Sequence, residues 1–110
     1  MNIILKNQIE KTFAMAISEF KDQSEAILFL KDFLTEKEFS TLSKRLSVIY
    51  LLTKKRSYSN VQNNLKVSSA TIAEGKELAK KESIMKIIRK IDADEWAEKW
   101  SFRIRKLWNF

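Results

Sequence analysis

Two short apolar-patterned segments meet at a polar corner between Ser57 and Lys81, and few folds accommodate that spacing. The stretch runs Ser57-Tyr58-Ser59-Asn60-Val61-Gln62-Asn63-Asn64-Leu65, then Lys66-Val67-Ser68-Ser69, then Ala70-Thr71-Ile72-Ala73-Glu74-Gly75-Lys76-Glu77-Leu78. Val61, Leu65, Val67, Ile72 and Leu78 are placed for two helices packed across a tight turn. Ser57 can cap the first helix and Ser68 or Ser69 the second, because a hydroxyl there accepts an amide that the first helical turn leaves without a partner. This is the pattern of a helix-turn-helix, whose second helix offers its N-terminal residues to base edges in a DNA major groove.

The rest of the chain must also be helical. It has no Pro and one Gly, which leaves almost no turn chemistry for a sheet. An all-α bundle of one domain is expected over residues 1–110. Residues 1–53 would form dimerisation helices, 57–81 the helix-turn-helix and 83–110 a C-terminal helical extension. There is neither Cys nor His, so thiolate sites and the commonest proton-transfer group are excluded. No enzyme activity, metal or cofactor is expected. The start of the chain shows only the short apolar patch Ile3 to Leu5, with no signal-peptide core. No apolar run approaches the roughly 20 residues of a membrane span. A soluble, cytoplasmic protein is expected.

Along the chain, Ile9, Phe13, Ala16, Ile17 and Phe20 form the stripe of an amphipathic helix, and Asp22 to Ser24 interrupts it where a new helix can be capped. Ala26 to Leu34 is apolar on most faces and needs cover on more than one side, which a homodimer with entwined N-terminal helices would give. Thr35-Glu36-Lys37-Glu38 is a capping box. It opens a long helix with Phe39, Leu42, Leu46, Ile49 and Leu52 on one face. After Lys81 the stripe changes phase to Ile84, Ile87, Ile88 and Ile91, so a break is expected near Lys81 to Ser83, with Ser83 as cap. Asp92-Ala93-Asp94-Glu95 reads as a second capping box, before a last helix carrying Trp96, Trp100 and Trp108.

Charge singles out the corner. Residues 1–53 hold seven bases and seven acids, 54–81 seven bases and two acids, and 82–110 seven bases and five acids. Most of the net +7 therefore lies on the helix-turn-helix, where cations neutralise phosphates and release counterions. Lys54, Lys55, Arg56, Gln62, Lys66 and Lys76 are the expected phosphate contacts. Lys54 to Arg56 also suit the C-terminal end of the preceding helix electrostatically. Ser69, Ala70, Thr71 and Ala73 form a small face expected at base edges, through methyl contacts and hydroxyl hydrogen bonds. No Arg or Lys there can grip guanine with two hydrogen bonds. Lys66 stands at a corner where a left-handed backbone would cost it more than Gly. Gly75, inside a helix, is explained either by tight packing or by room for a ligand.

Leu42-x-x-Arg45, Leu51-Leu52, Ser57-Tyr58 and Val61-x-x-x-Leu65-x-Val67-Ser68-x-Ala70-Thr71-Ile72 together resemble the Trp-repressor superfamily, nearest its Trp-repressor-related regulators. The resemblance covers about Phe33 to Leu78. It implies an entwined helical homodimer that binds double-stranded DNA as a transcriptional repressor. It also places a ligand pocket at Arg45, Glu74 and Gly75. Arg45 matches one corepressor arginine of the Trp repressor, but Glu74 stands where that protein has the other. An acid there would repel an amino-acid carboxylate, so tryptophan is not an expected effector. The alternative function is a helical interaction module that binds a partner through its Trp-rich last helix.

Overall fold

The structure, a computed structural model, describes residues 1–94 together with Arg103 and Lys106. Among them it is all-helical, with six helices and no strand: α1 (Ile3–Ser18), α2 (Gln23–Phe33), α3 (Glu36–Thr53), α4 (Tyr58–Leu65), α5 (Ser69–Leu78) and α6 (Glu82–Ala93). The chain divides into two compact units, Met1–Ser40 and the part from Thr41 onward.

In the first unit each helix begins on a side-chain cap. Asn2 accepts the amides of Ile4 and Leu5 at 2.7 and 3.2 Å, and Asp22 accepts that of Glu25 at 2.9 Å. The expected capping box is formed. The Glu38 amide donates to the Thr35 hydroxyl at 3.1 Å, and the Glu38 carboxylate accepts the Thr35 amide at 2.8 Å. The Thr35 amide foremost, and then the Thr35 hydroxyl, hold the Glu38 carboxyl below the usual glutamate range. Phe13 of α1 stacks on Phe33 of α2 at 6.0 Å; within α2 Phe33 stacks on Phe29 at 5.2 Å, and Phe20, between the two helices, meets Phe29 at 5.2 Å. No residue of α1 or α2 is buried. Within one chain the apolar segment Ala26 to Leu34 stays largely uncovered, with Ile27, Leu28 and Phe33 exposed.

The core lies in the second unit. It gathers Val48, Ile49, Tyr50 and Leu51 of α3, Val61 of α4, Ile72 of α5 and Ile88 of α6. Four consecutive buried residues point to all sides of a helix that turns 100° per residue, so the end of α3 is enclosed all round. The single stripe read from the sequence understates this. Leu42 and Leu46 on that stripe are exposed within one chain, as is Ile87 on α6. The break before α6 falls where the change of phase placed it. Its cap position is Lys81, which makes no side-chain cap, and Ser83 lies inside the first turn. Asp92 and Ala93 belong to the last turn of α6, so Asp92 does not open a further helix. Its carboxylate is ion-paired with Lys54 at the end of α3. Glu95 and the three Trp lie outside the described residues.

Candidate nucleic-acid interface

Both helices of the motif are capped by the serines at their starts. Ser57 accepts the Asn60 amide at 3.2 Å and Ser68 the Thr71 amide at 3.2 Å. Val61 and Ile72 are fully inside, while Leu65, Val67 and Leu78 pack at the edge of the same core. The polar face of α4 and the first turns of α5 are thereby left to solvent.

Lysines occupy both left-handed positions of the described backbone. Lys66, between α4 and α5, has φ 58° and ψ 50°, and Lys55, between α3 and α4, has φ 61°. Each ends a helix. The Arg56 amide reaches back to Leu51 O at 3.3 Å and that of Lys55 to Leu52 O at 3.1 Å, which is a Schellman close. The Val67 amide does the same to Gln62 O at 3.2 Å. Glycine is the easy residue at such sites, and a side chain there costs about 1 kcal/mol. These two lysines bracket α4 at that cost.

The other expected residues fall as follows. Ser69, Ala70 and Ala73 are exposed at the start of α5, and Thr71 is half-buried beside them. The Ser68 and Thr71 hydroxyls are 3.1 Å apart, so Thr71 already shares its hydroxyl with the cap. Gln62 is half-buried on α4. Lys54 is turned toward α6 by its pair with Asp92, with its ammonium 5.6 Å from the centre of the Tyr50 ring. Lys76 sits 5.5 Å over the Tyr58 ring. Its hydrogen bond with that residue, then the charge interaction, holds it above the usual lysine range. Tyr58 was not singled out in the sequence as a contact residue. Eighteen residues separate it from Lys76, and no spacing rule links positions on different helices.

Both carboxylates of α5 are matched by cations. Glu74 pairs with Arg45 of α3 at 3.0 Å, and Glu77 with Lys80 at 3.0 Å. Exposed pairs of this kind add little stability, but they cancel acid charge on the helix that would face DNA. The Arg45–Glu74 pair also occupies both charged groups of the pocket that the sequence pointed to. Gly75 is buried there, and a Cβ added to it would lie 2.6 Å from Val48 Cγ1. Tight packing of α5 on α3 accounts for this glycine. Tryptophan offered to the protein near millimolar concentration should therefore give no saturable heat in calorimetry. A clear isotherm would show that Glu74 yields Arg45 to a ligand carboxylate.

An open cavity of about 360 Å3 is lined by Leu52, Lys55, Arg56, Tyr58, Lys76 and Ala79 among others. No helix among the described residues is long and apolar enough to cross a membrane. A family model described as Trp repressor protein matches residues 8–91, about three quarters of the chain. No curated protein and no solved structure matches it.

Proposed function

The chain belongs to the Trp repressor family, and on that premise we propose that it is a sequence-specific transcriptional repressor that reads DNA with α5 and does not respond to tryptophan. The family is one of helix-turn-helix DNA-binding regulators rather than enzymes. The observation that carries the finer reading is a small, largely exposed face at the start of α5 with lysines before and after it in the chain. Ser69, Ala70, Thr71 and Ala73 give close approach to base edges, while Lys55, Lys66 and Lys76 stand at the ends of the helices around them. The acids of α5 are neutralised within the chain. The protein works in the cytoplasm as a homodimer, its two α5 helices entering successive major grooves about 34 Å apart on a pseudo-palindrome.

Two substitutions separate positioning from reading. Lys66→Gly removes a cation and relieves the left-handed backbone together. Stability should rise by about 1 kcal/mol, while affinity for any duplex falls and the slope of log affinity on log salt shrinks by about 0.9. Thr71→Ala should leave that slope alone and lower only the preference for the specific site. A loss near the low end of about 1–3 kcal/mol is expected, because the hydroxyl is shared with Ser68. Fluorescence anisotropy across a salt series, on operator and random duplex, reads both. An unchanged preference in Thr71→Ala would mean that α5 is not the reading helix. An unchanged slope in Lys66→Gly would remove that lysine from the phosphate contacts.

A further inference from the structure

The cavity beside α5 has the chemistry of a second binding site. Its floor is apolar, made of Leu52, Ala79, the Tyr58 ring and the methylene stems of the lysines. Three cations, Lys55, Arg56 and Lys76, surround it, and no carboxylate is among the lining residues. Neither Lys55 nor Lys76 is in a salt bridge among the described residues. The volume of about 360 Å3 is about twelve times the share of one water molecule in the liquid. That is far more than one backbone phosphate fills, and it lies at the small end of the range for organic ligands.

We propose that this cavity binds a small organic anion with a compact apolar body, its carboxylate or phosphate headgroup held by Lys55, Arg56 and Lys76 and its body seated against Leu52, Tyr58 and Ala79. The Tyr58 hydroxyl adds a donor beside the headgroup, and the Lys76 ammonium stands 5.5 Å from the centre of the Tyr58 ring. The regulatory consequence rests on the DNA-binding reading above. Lys55 and Lys76 belong to the phosphate-contacting set, and an anion held between them takes the charge that a duplex backbone would use. Anion and duplex then exclude each other, and by linkage each weakens the other by the same factor. The anion acts as an inducer. Arg45, Glu74 and Gly75 are not among the residues that line the cavity.

The probes are phenyl phosphate, benzoate and inorganic phosphate, titrated into the full-length protein in calorimetry and then against a labelled duplex. One-to-one binding of phenyl phosphate or benzoate is expected, about tenfold or more tighter than inorganic phosphate because only the former bury a ring. The stronger of the two identifies the headgroup. Lys76→Gln should weaken that binding by about tenfold or more, and Lys90→Gln, the same charge change at an exposed position of α6, should not. Ala79→Leu fills the floor without touching a charge. It should abolish ring-dependent binding yet leave duplex affinity as it was. Equal affinity for phenyl phosphate and inorganic phosphate, or no binding at all, overturns the proposal and leaves the cations as backbone contacts only. If the ring-bearing anion binds but no duplex does, the site stands and the DNA-binding reading falls.

Discussion

Gly75→Val is expected to destabilise the protein by about 3 kcal/mol or more, seen as a fall in melting temperature of about 10–20 °C. The position is buried where α5 lies on α3, and even a bare Cβ would come within 2.6 Å of Val48 Cγ1 and 3.7 Å of Ile49 Cγ1. Val48 is itself fully buried, and a β-branched side chain in a helix has one strongly preferred rotamer, so it cannot swing aside. Gly75→Ala isolates the clash. Alanine gains about 1 kcal/mol of helix propensity over glycine, which the overpacking must exceed for the net change to be unfavourable. Val48→Ala removes the opposing methyl, so in that background Gly75→Ala should become stabilising. The double-mutant cycle should then give a coupling of about 1–3 kcal/mol. A melting temperature for Gly75→Ala raised by the whole of that propensity gain would sink the packing account and return the glycine to a ligand.

That glycine shows where sequence reading stops. Its cost inside a helix was visible in the spacing, but the choice between packing and ligand needed the identity of the atom facing it. Local features were legible for the same reason that they are local. Ser57, Ser68, Asp22 and the Thr35–Glu38 box cap helices through bonds that reach only three residues along the chain, and the apolar spacing fixed Val61 and Ile72 in the core. Features that depend on helix crossings were not legible. Arg45 meets Glu74, and Lys54 meets Asp92, across separations that no period encodes. Those pairings change the site. One takes up both charges of the expected effector pocket, and the other draws Lys54 toward α6. The left-handed Lys55 escaped notice because its neighbours spell a plain basic run, whereas Lys66 was recognisable at a motif corner where glycine is usual. The α3 stripe was too simple at its C-terminal end, where Val48 to Leu51 are buried on every side and leave no stripe to read.

Leu28→Glu is expected to convert the protein from a dimer to a monomer at micromolar concentration and to lower operator affinity by about 100-fold or more. Leu28 is 65% exposed and Phe33 59% in the isolated chain. Phe13, Ile17 and Ile27 of the same unit are exposed, and the buried core of the second unit contains none of them. Fully burying one such side chain is worth about 1.5–3 kcal/mol, so leaving all of them in water forgoes more than one motif's worth of stability. A symmetric partner would recover it. In a twofold interface every substitution occurs twice, so the cost of each buried glutamate is doubled. A penalty of about 2 kcal/mol per site becomes about 4 kcal/mol, or nearly 1,000-fold in the dimer constant. DNA affinity should follow, since a monomer engages one half-site and loses the gain of binding two together. Sedimentation equilibrium reads the mass, and circular dichroism checks that the caps and the second unit's core keep the helices formed. Phe33→Glu provides an independent disruption on the same helix. Lys31→Glu, a charge change among residues already polar, should leave the mass at twice that of the chain. A wild-type protein that sediments as a single chain at micromolar concentration would remove the paired half-sites, as would a Leu28→Glu protein that stays dimeric and binds operator unchanged.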